Sequence, residues 1–110
     1  MAESHAAELA ELVAATAADL GLEAEVEDGT SLDYSIGKTL VVAVAGGTAE
    51  FRLRADVAAA AARTRDAGQS PRGPEWVTFS PKTFDRFTTD RIEAWFEFAV
   101  RQANGSTQDQ

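Results

Sequence analysis

The feature that most limits the fold is a change of hydrophobic period at Gly21. Before it, Ala6, Leu9, Leu12, Val13, Ala17 and Leu20 recur every three or four residues, the spacing that lays one apolar stripe along a helix. After it, Leu22, Ala24 and Val26 alternate with Glu23, Glu25 and Glu27, the two-residue period of a strand with one wet face. A helix stripe followed by a half-buried strand points to an α+β domain. Ser4 is the expected cap of this first helix and Gly21 its stop.

The strand signal continues. Asp28-Gly29 is a hairpin turn signal, Leu32, Tyr34 and Ile36 alternate with Asp33 and Ser35, and Gly37-Lys38 breaks the run. Thr39 to Ala45, TLVVAVA, is apolar on both faces, which places it in the middle of a sheet or under a helix. Gly46-Gly47 makes another tight turn before Ala49, Phe51 and Leu53 alternate with Glu50, Arg52 and Arg54. The expectation is an antiparallel meander of three to four strands.

Asp56 is the expected cap of a helix through the alanines 58 to 62, with Gly68 ending it. Gln69 to Pro74 reads as a loop and Glu75 to Ser80 as one further strand. The C-terminal helix is predicted from Asp90, with Glu93 completing a capping box, and carries the stripe Ile92, Trp95, Phe96, Ala99, Val100 and Ala103. Asn104-Gly105 is the expected stop. That gives a single domain over 1–103 and a flexible tail over 104–110. A chain of 110 residues buries roughly 65% of its unfolded surface, enough for a core without staples.

Composition removes several chemistries. There is no cysteine, so disulfides, thiolate metal sites and a catalytic thiol are excluded. The N-terminal stretch begins with an acid and spaces its apolar residues, so it reads as neither a signal peptide nor a membrane span, and the expected location is cytoplasmic. His5 is the only histidine, which rules out an imidazole metal cluster. Glu23, Glu25 and Glu27 share a strand face but complete no ligand pattern, and no metal or cofactor is expected. Gly37-Lys38-Thr39 resembles the end of a phosphate loop, but Leu32 stands where the first glycine belongs and a strand follows instead of a helix. No catalytic residue stands out, and the reading is of a protein that is not an enzyme. A hydrolase using two carboxylates is the option composition leaves open.

The formal charge of −8 is unevenly spread. Residues 1 to 37 hold nine acids and no Lys or Arg, leaving the other nine acids against all ten basic residues, net +1. Arg52 and Arg54 must share a strand face, with Arg72 in the loop before Trp76. Arginines beside an aromatic can hold phosphate and stack a base, which is the nucleic-acid reading. The competing account is a solvated face interleaved with Glu50, Asp56 and Asp66, and the acidic net charge favours it.

Seven of the nine aromatics fall between Trp76 and Phe98. On the strand, Trp76 and Thr78 point opposite to Val77 and Phe79, and Phe98 lies off the apolar stripe of its helix. One of Trp76 and Phe79 therefore lines a second surface, with Phe98 as its extension, unless Phe84 to Phe87 folds over it as a lid. Such a surface would be a protein-partner face, a dimer seam or a groove for an apolar ligand.

From Ser35 to Ala103, SIGKTLVVAV, EFRLRADVAAA, PEWVTF and AWFEFAVRQA resemble the MmcQ/YjbR family of small bacterial proteins. That resemblance implies a frataxin-like α+β sandwich and a nucleic-acid-binding label. Thr39-Leu40 departs from the aromatic-small pair more typical there. In element order and acidity the chain also resembles small dimeric secretion chaperones, which implies binding of an extended protein client. The function expected is a small acidic binding or adaptor module. Trp76, Phe79 and Phe98 are its candidate contacts for a protein partner or homodimer, and Arg52, Arg54 and Arg72 those of the nucleic-acid alternative.

Overall fold

The two periods build the two layers they imply. The computed structural model describes residues 2–22, 25–27 and 31–108, with the side chains of 7–22 and 31–104. Helix α1 (Ala2–Asp19) leads into strands β1 (Glu25–Glu27), β2 (Ser31–Ile36), β3 (Thr39–Ala45) and β4 (Thr48–Arg52), then α2 (Ala55–Ala61), β5 (Ala67–Gln69), β6 (Trp76–Phe79) and α3 (Arg86–Gln108). The strands form one sheet in the order β1-β2-β3-β4-β6-β5, every pair antiparallel. The apolar β3 lies inside it, as its two-sided hydrophobicity requires.

Local chemistry sets the joints. Gly21 has φ +80° and completes a double cap on α1: its N–H donates to the Ala18 carbonyl at 3.1 Å and the Leu22 N–H to that of Ala17 at 2.9 Å. Gly46 and Gly47 both have positive φ and link Ala45 to its partner Thr48, the two-residue turn whose twist matches a hairpin. A bulge at Val41, which has no partner between the Tyr34–Val42 and Ser35–Leu40 pairs, bends the sheet there. The expected Asp28-Gly29 turn, residues 23 and 24, and the side chains of Ser4 and His5 lie outside the described residues.

Cross-strand register sorts the faces. Leu32, Val44, Ala49, Phe79 and Ala67 form one row, and Tyr34, Val42, Phe51 and Val77 the next. These rows join Leu9, Val13 and Ala17 of α1, Ala58 and Ala61 of α2, and Ile92, Trp95, Phe96, Ala99 and Ala103 of α3 in one core cluster. All three helices thus cover one face. Edge-to-face aromatic contacts knit it: Phe79 meets Trp95 at 5.2 Å, Phe51 meets Trp95 at 5.9 Å and Tyr34 meets Phe96 at 5.4 Å between centroids.

Tyr34 carries a cost. It is 1% exposed, and its hydroxyl has no hydrogen-bond partner among the described residues; burial also pushes its pKa up. Replacing Tyr34→Phe removes an unsatisfied group without opening a cavity, so chemical denaturation should show a gain of about 1 kcal/mol. A loss of similar size would mean that the hydroxyl has a partner.

Several element bounds differ from the sequence reading. Helix α2 stops at Ala61 rather than Gly68, with Arg54 as its N-cap residue and Asp56 in its first turn. Asp66 then takes a left-handed φ of 66°, and residues 67–69, read as helix end and loop, form β5 along the otherwise unpaired edge of β6. Helix α3 begins four residues before Asp90, because Asp85 caps it: its Oδ1 accepts the Thr88 N–H at 3.1 Å. Buried Thr88 reinforces the turn by donating to the Thr83 carbonyl at 2.7 Å. At the other end α3 runs through Asn104-Gly105 to Gln108, so the expected stop does not act.

The Asp85 cap is sensitive to pH. The Thr88 N–H holds its carboxyl below the ordinary value of 3.8, with Arg65 adding to the effect. A carboxylate depressed in the folded state contributes stability above its unfolded pKa and loses it as pH falls through the folded one. Thermal melts should therefore show Asp85→Ala destabilised at neutral pH, with the gap to wild type narrowing below about pH 4. A gap independent of pH between neutrality and about pH 2 would contradict the cap.

Candidate protein-binding face of the sheet

The opposite face of the sheet bears no helix among the described residues. Its rows are Asp33, Ala43, Glu50, Thr78 and Gly68, then Ser31, Ala45 and Thr48, with Arg52 paired to Trp76. Register adds positions 25 and 27 at the β1 edge. Ala43 and Trp76 are buried yet stand outside the core cluster. Trp76, 9% exposed, is therefore a large aromatic on the solvent side of the sheet, covered from that side.

The cover is the loop between β5 and β6. Arg72 reaches back across the sheet, its Nε donating to Glu50 Oε1 at 2.6 Å while its guanidinium sits 5.2 Å from the centre of the Trp76 ring. Buried Ser70 donates to the other oxygen of Glu50 at 2.7 Å and accepts the Arg72 N–H at 3.1 Å. Gln69 closes the loop by donating to the Gly73 carbonyl at 2.9 Å. The Glu50 side chain is 17% exposed and that of Arg72 41%, so the pair is only partly wet. Beside it lies an open depression of about 330 Å³ lined by Ser31, Asp33, Ala43, Ala45, Thr48, Glu50 and Arg72. The floor is small and the rim carries both signs of charge.

The other predicted residues separate. Phe79 is fully buried against Trp95 on the helix side, so it cannot contact a partner; strand parity put it opposite Trp76, and the helices took its side. Phe98 is half-buried and packs on the core cluster from α3, away from Trp76. Phe84 and Phe87 pack on that cluster too, and Phe84 lines a furrow against α1, so they are no lid over Trp76. The Phe87 ring instead has the guanidinium groups of Arg65 and Arg91 at 4.4 and 5.7 Å from its centre.

Of the three arginines, only Arg52 and Arg72 share the helix-free face, and each pairs with an acid. Arg52 donates twice to Glu75 Oε1, at 3.1 and 3.2 Å, and Arg54 makes two bonds of 3.0 Å to Asp56. That pairing pulls the exposed Asp56 carboxyl below its ordinary range. Of the acids interleaved with these arginines, Glu50 and Asp56 both hold one. Asp66 does not; its carboxylate accepts the Lys82 N–H at 3.3 Å. Sequence spacing alone does not single out Glu50 and Ser70 as site residues, because they are twenty positions apart and only the sheet brings them together.

Among the described residues, no group of three or more His, Asp or Glu is placed to hold a metal ion, and no helix is long and apolar enough to cross a membrane. Comparison with protein-family models, with curated proteins and with solved structures gave no match.

Proposed function

We propose that the chain is a small acidic binding module that engages a protein partner through the helix-free face of its sheet. The observation that carries this reading is Trp76 held beneath Arg72 on that face. Trp and Arg are the side chains that most often concentrate binding energy, and they do so when fixed in place beforehand, as Glu50 and Ser70 fix this loop. The small floor at Ala43 and Ala45 leaves room for side chains from a partner. An open antiparallel sheet face also needs no partner to be stable, so the reading rests on the pinned pair rather than on the exposure.

Binding of nucleic acid has less support. Phosphate would have to displace a carboxylate from Arg52, Arg54 or Arg72, and the net charge of −8 opposes the approach of a polyanion.

The test places a photo-crosslinking residue at Ala45, exposed on the helix-free face, and at Ala59, exposed on α2. In extract of the encoding organism, position 45 should give one discrete adduct that Arg72→Glu abolishes, and position 59 should not give it. A doubled mass identifies a second copy and any other mass a different protein. Identical adducts from both positions, or none from position 45, would end the proposal.

A further inference from the structure

The helix side of the molecule carries a second surface, along the furrow between α1 and α3. Glu8, Glu11 and Leu12 meet Phe84 and Thr89 around one depression of about 310 Å³. Farther along, Thr16, Asp19 and Leu20 meet Glu93 and Glu97 around another of about 230 Å³. Both numberings rise together, so the helices run parallel and the depressions lie in line. From Glu8 to Leu20 the furrow spans about 18 Å, at 1.5 Å per helical residue.

Its floor and rim differ in kind. Leu12, Leu20 and Phe84 are half-buried, packed on the core but left partly open. The rim is five exposed carboxylates, three from α1 and two from α3. No Lys or Arg lines either depression, and α1 contains none. Arg101 pairs with Glu97 at 3.4 Å from the next turn of α3. A solvated rim alone would explain acids on α1 and would not require apolar side chains between two acidic banks.

We infer that this furrow docks a basic amphipathic helix of a partner protein, about three turns long. A groove between two parallel helices takes a third by ridge-and-groove packing. Leu12 and Leu20 lie eight residues apart, about 12 Å along the axis, which matches apolar residues two turns apart on the incoming helix. Lys or Arg flanking its apolar stripe then faces carboxylates on both banks. The site is separate from the Trp76 face, and its occupant would be a second partner.

The probe is a synthetic amphipathic peptide of Leu and Lys, with a Leu and Glu counterpart as control, at about 0.15 M salt, where long-range attraction is largely screened. Amide shifts on the 110-residue chain should concentrate in residues 8–20 and 84–97. The triple variant Glu8→Gln, Glu11→Gln, Glu93→Gln, which keeps the floor and the fold, should bind at least tenfold more weakly, while Arg72→Glu binds as wild type. Binding of the Glu control with similar affinity, shifts spread over all acidic surfaces, or an unchanged affinity in the triple variant would each overturn the inference.

Discussion

Replacing Phe51→Ala should cost about 3–5 kcal/mol, as large-to-small changes at fully buried aromatics do. Phe51 is wholly buried on β4, between Val42 and Val77 in the cross-strand row. Its ring meets those of Trp95 at 5.9 Å and Phe96 at 6.4 Å, so truncation opens a cavity where strands and α3 converge. A domain of this size holds only about 5–15 kcal/mol in total. The variant should lose about a fifth or more of the stability read from urea unfolding, and a loss below about 1 kcal/mol would contradict this placement of the core. Phe98 makes a poor probe of binding by comparison. It packs on the same cluster, so Phe98→Ser would report on stability first.

The second large effect falls on the helix-free face. Glu50→Ala removes the acceptor for both Ser70 and Arg72, leaving the buried Ser70 hydroxyl with no acceptor for its hydrogen and freeing the loop over Trp76. Each hydrogen bond to a charged group contributes about 1.5–3 kcal/mol, and partial exposure trims the sum, so the expected cost is about 2–3 kcal/mol. In a Trp95→Phe background, Trp76 is the sole tryptophan, and its emission should move to longer wavelength in the Glu50→Ala variant. Unchanged emission would mean that something other than this loop covers the ring.

These two sites also mark how far the sequence could be read. The C-terminal stripe was legible because Ile92, Trp95, Phe96, Ala99 and Ala103 repeat at helical spacing and are all buried; of the stripe only Val100 is half-exposed. The meander was legible because the residues of β2 and β4 alternate and the glycine-bearing breaks Gly37-Lys38 and Gly46-Gly47 set off the two-sided apolar run of β3. Strand β5 was not, since three residues carry no period and their pairing depends on β6, ten residues on. The start of α3 was misplaced because Asp85 and Asp90 satisfy the same local rule; what decides between them is Thr88, which is buried and bonded back to Thr83. The end was misplaced because a glycine permits a stop without imposing one.

For the site, parity separated Trp76 from Phe79 but could not say which side the helices cover. Both faces of β6 bear an aromatic, and only the packing of Trp95 on Phe79 resolves them. Arg72 was legible as a neighbour of Trp76 through its place in the loop. Its carboxylate was not, because Glu50 and Arg72 are twenty-two residues apart and meet only across two strands. The Trp76 face has one direct test.

That test is amide hydrogen exchange on the adduct captured from position 45. Protection should rise in residues 48–52 and 70–79, the strands and loop around Glu50, Arg72 and Trp76, with α1 and α3 exchanging as in the free protein. Protection confined to α1 and α3, or none on β4 and β6, would contradict the assignment of the helix-free face as the binding surface.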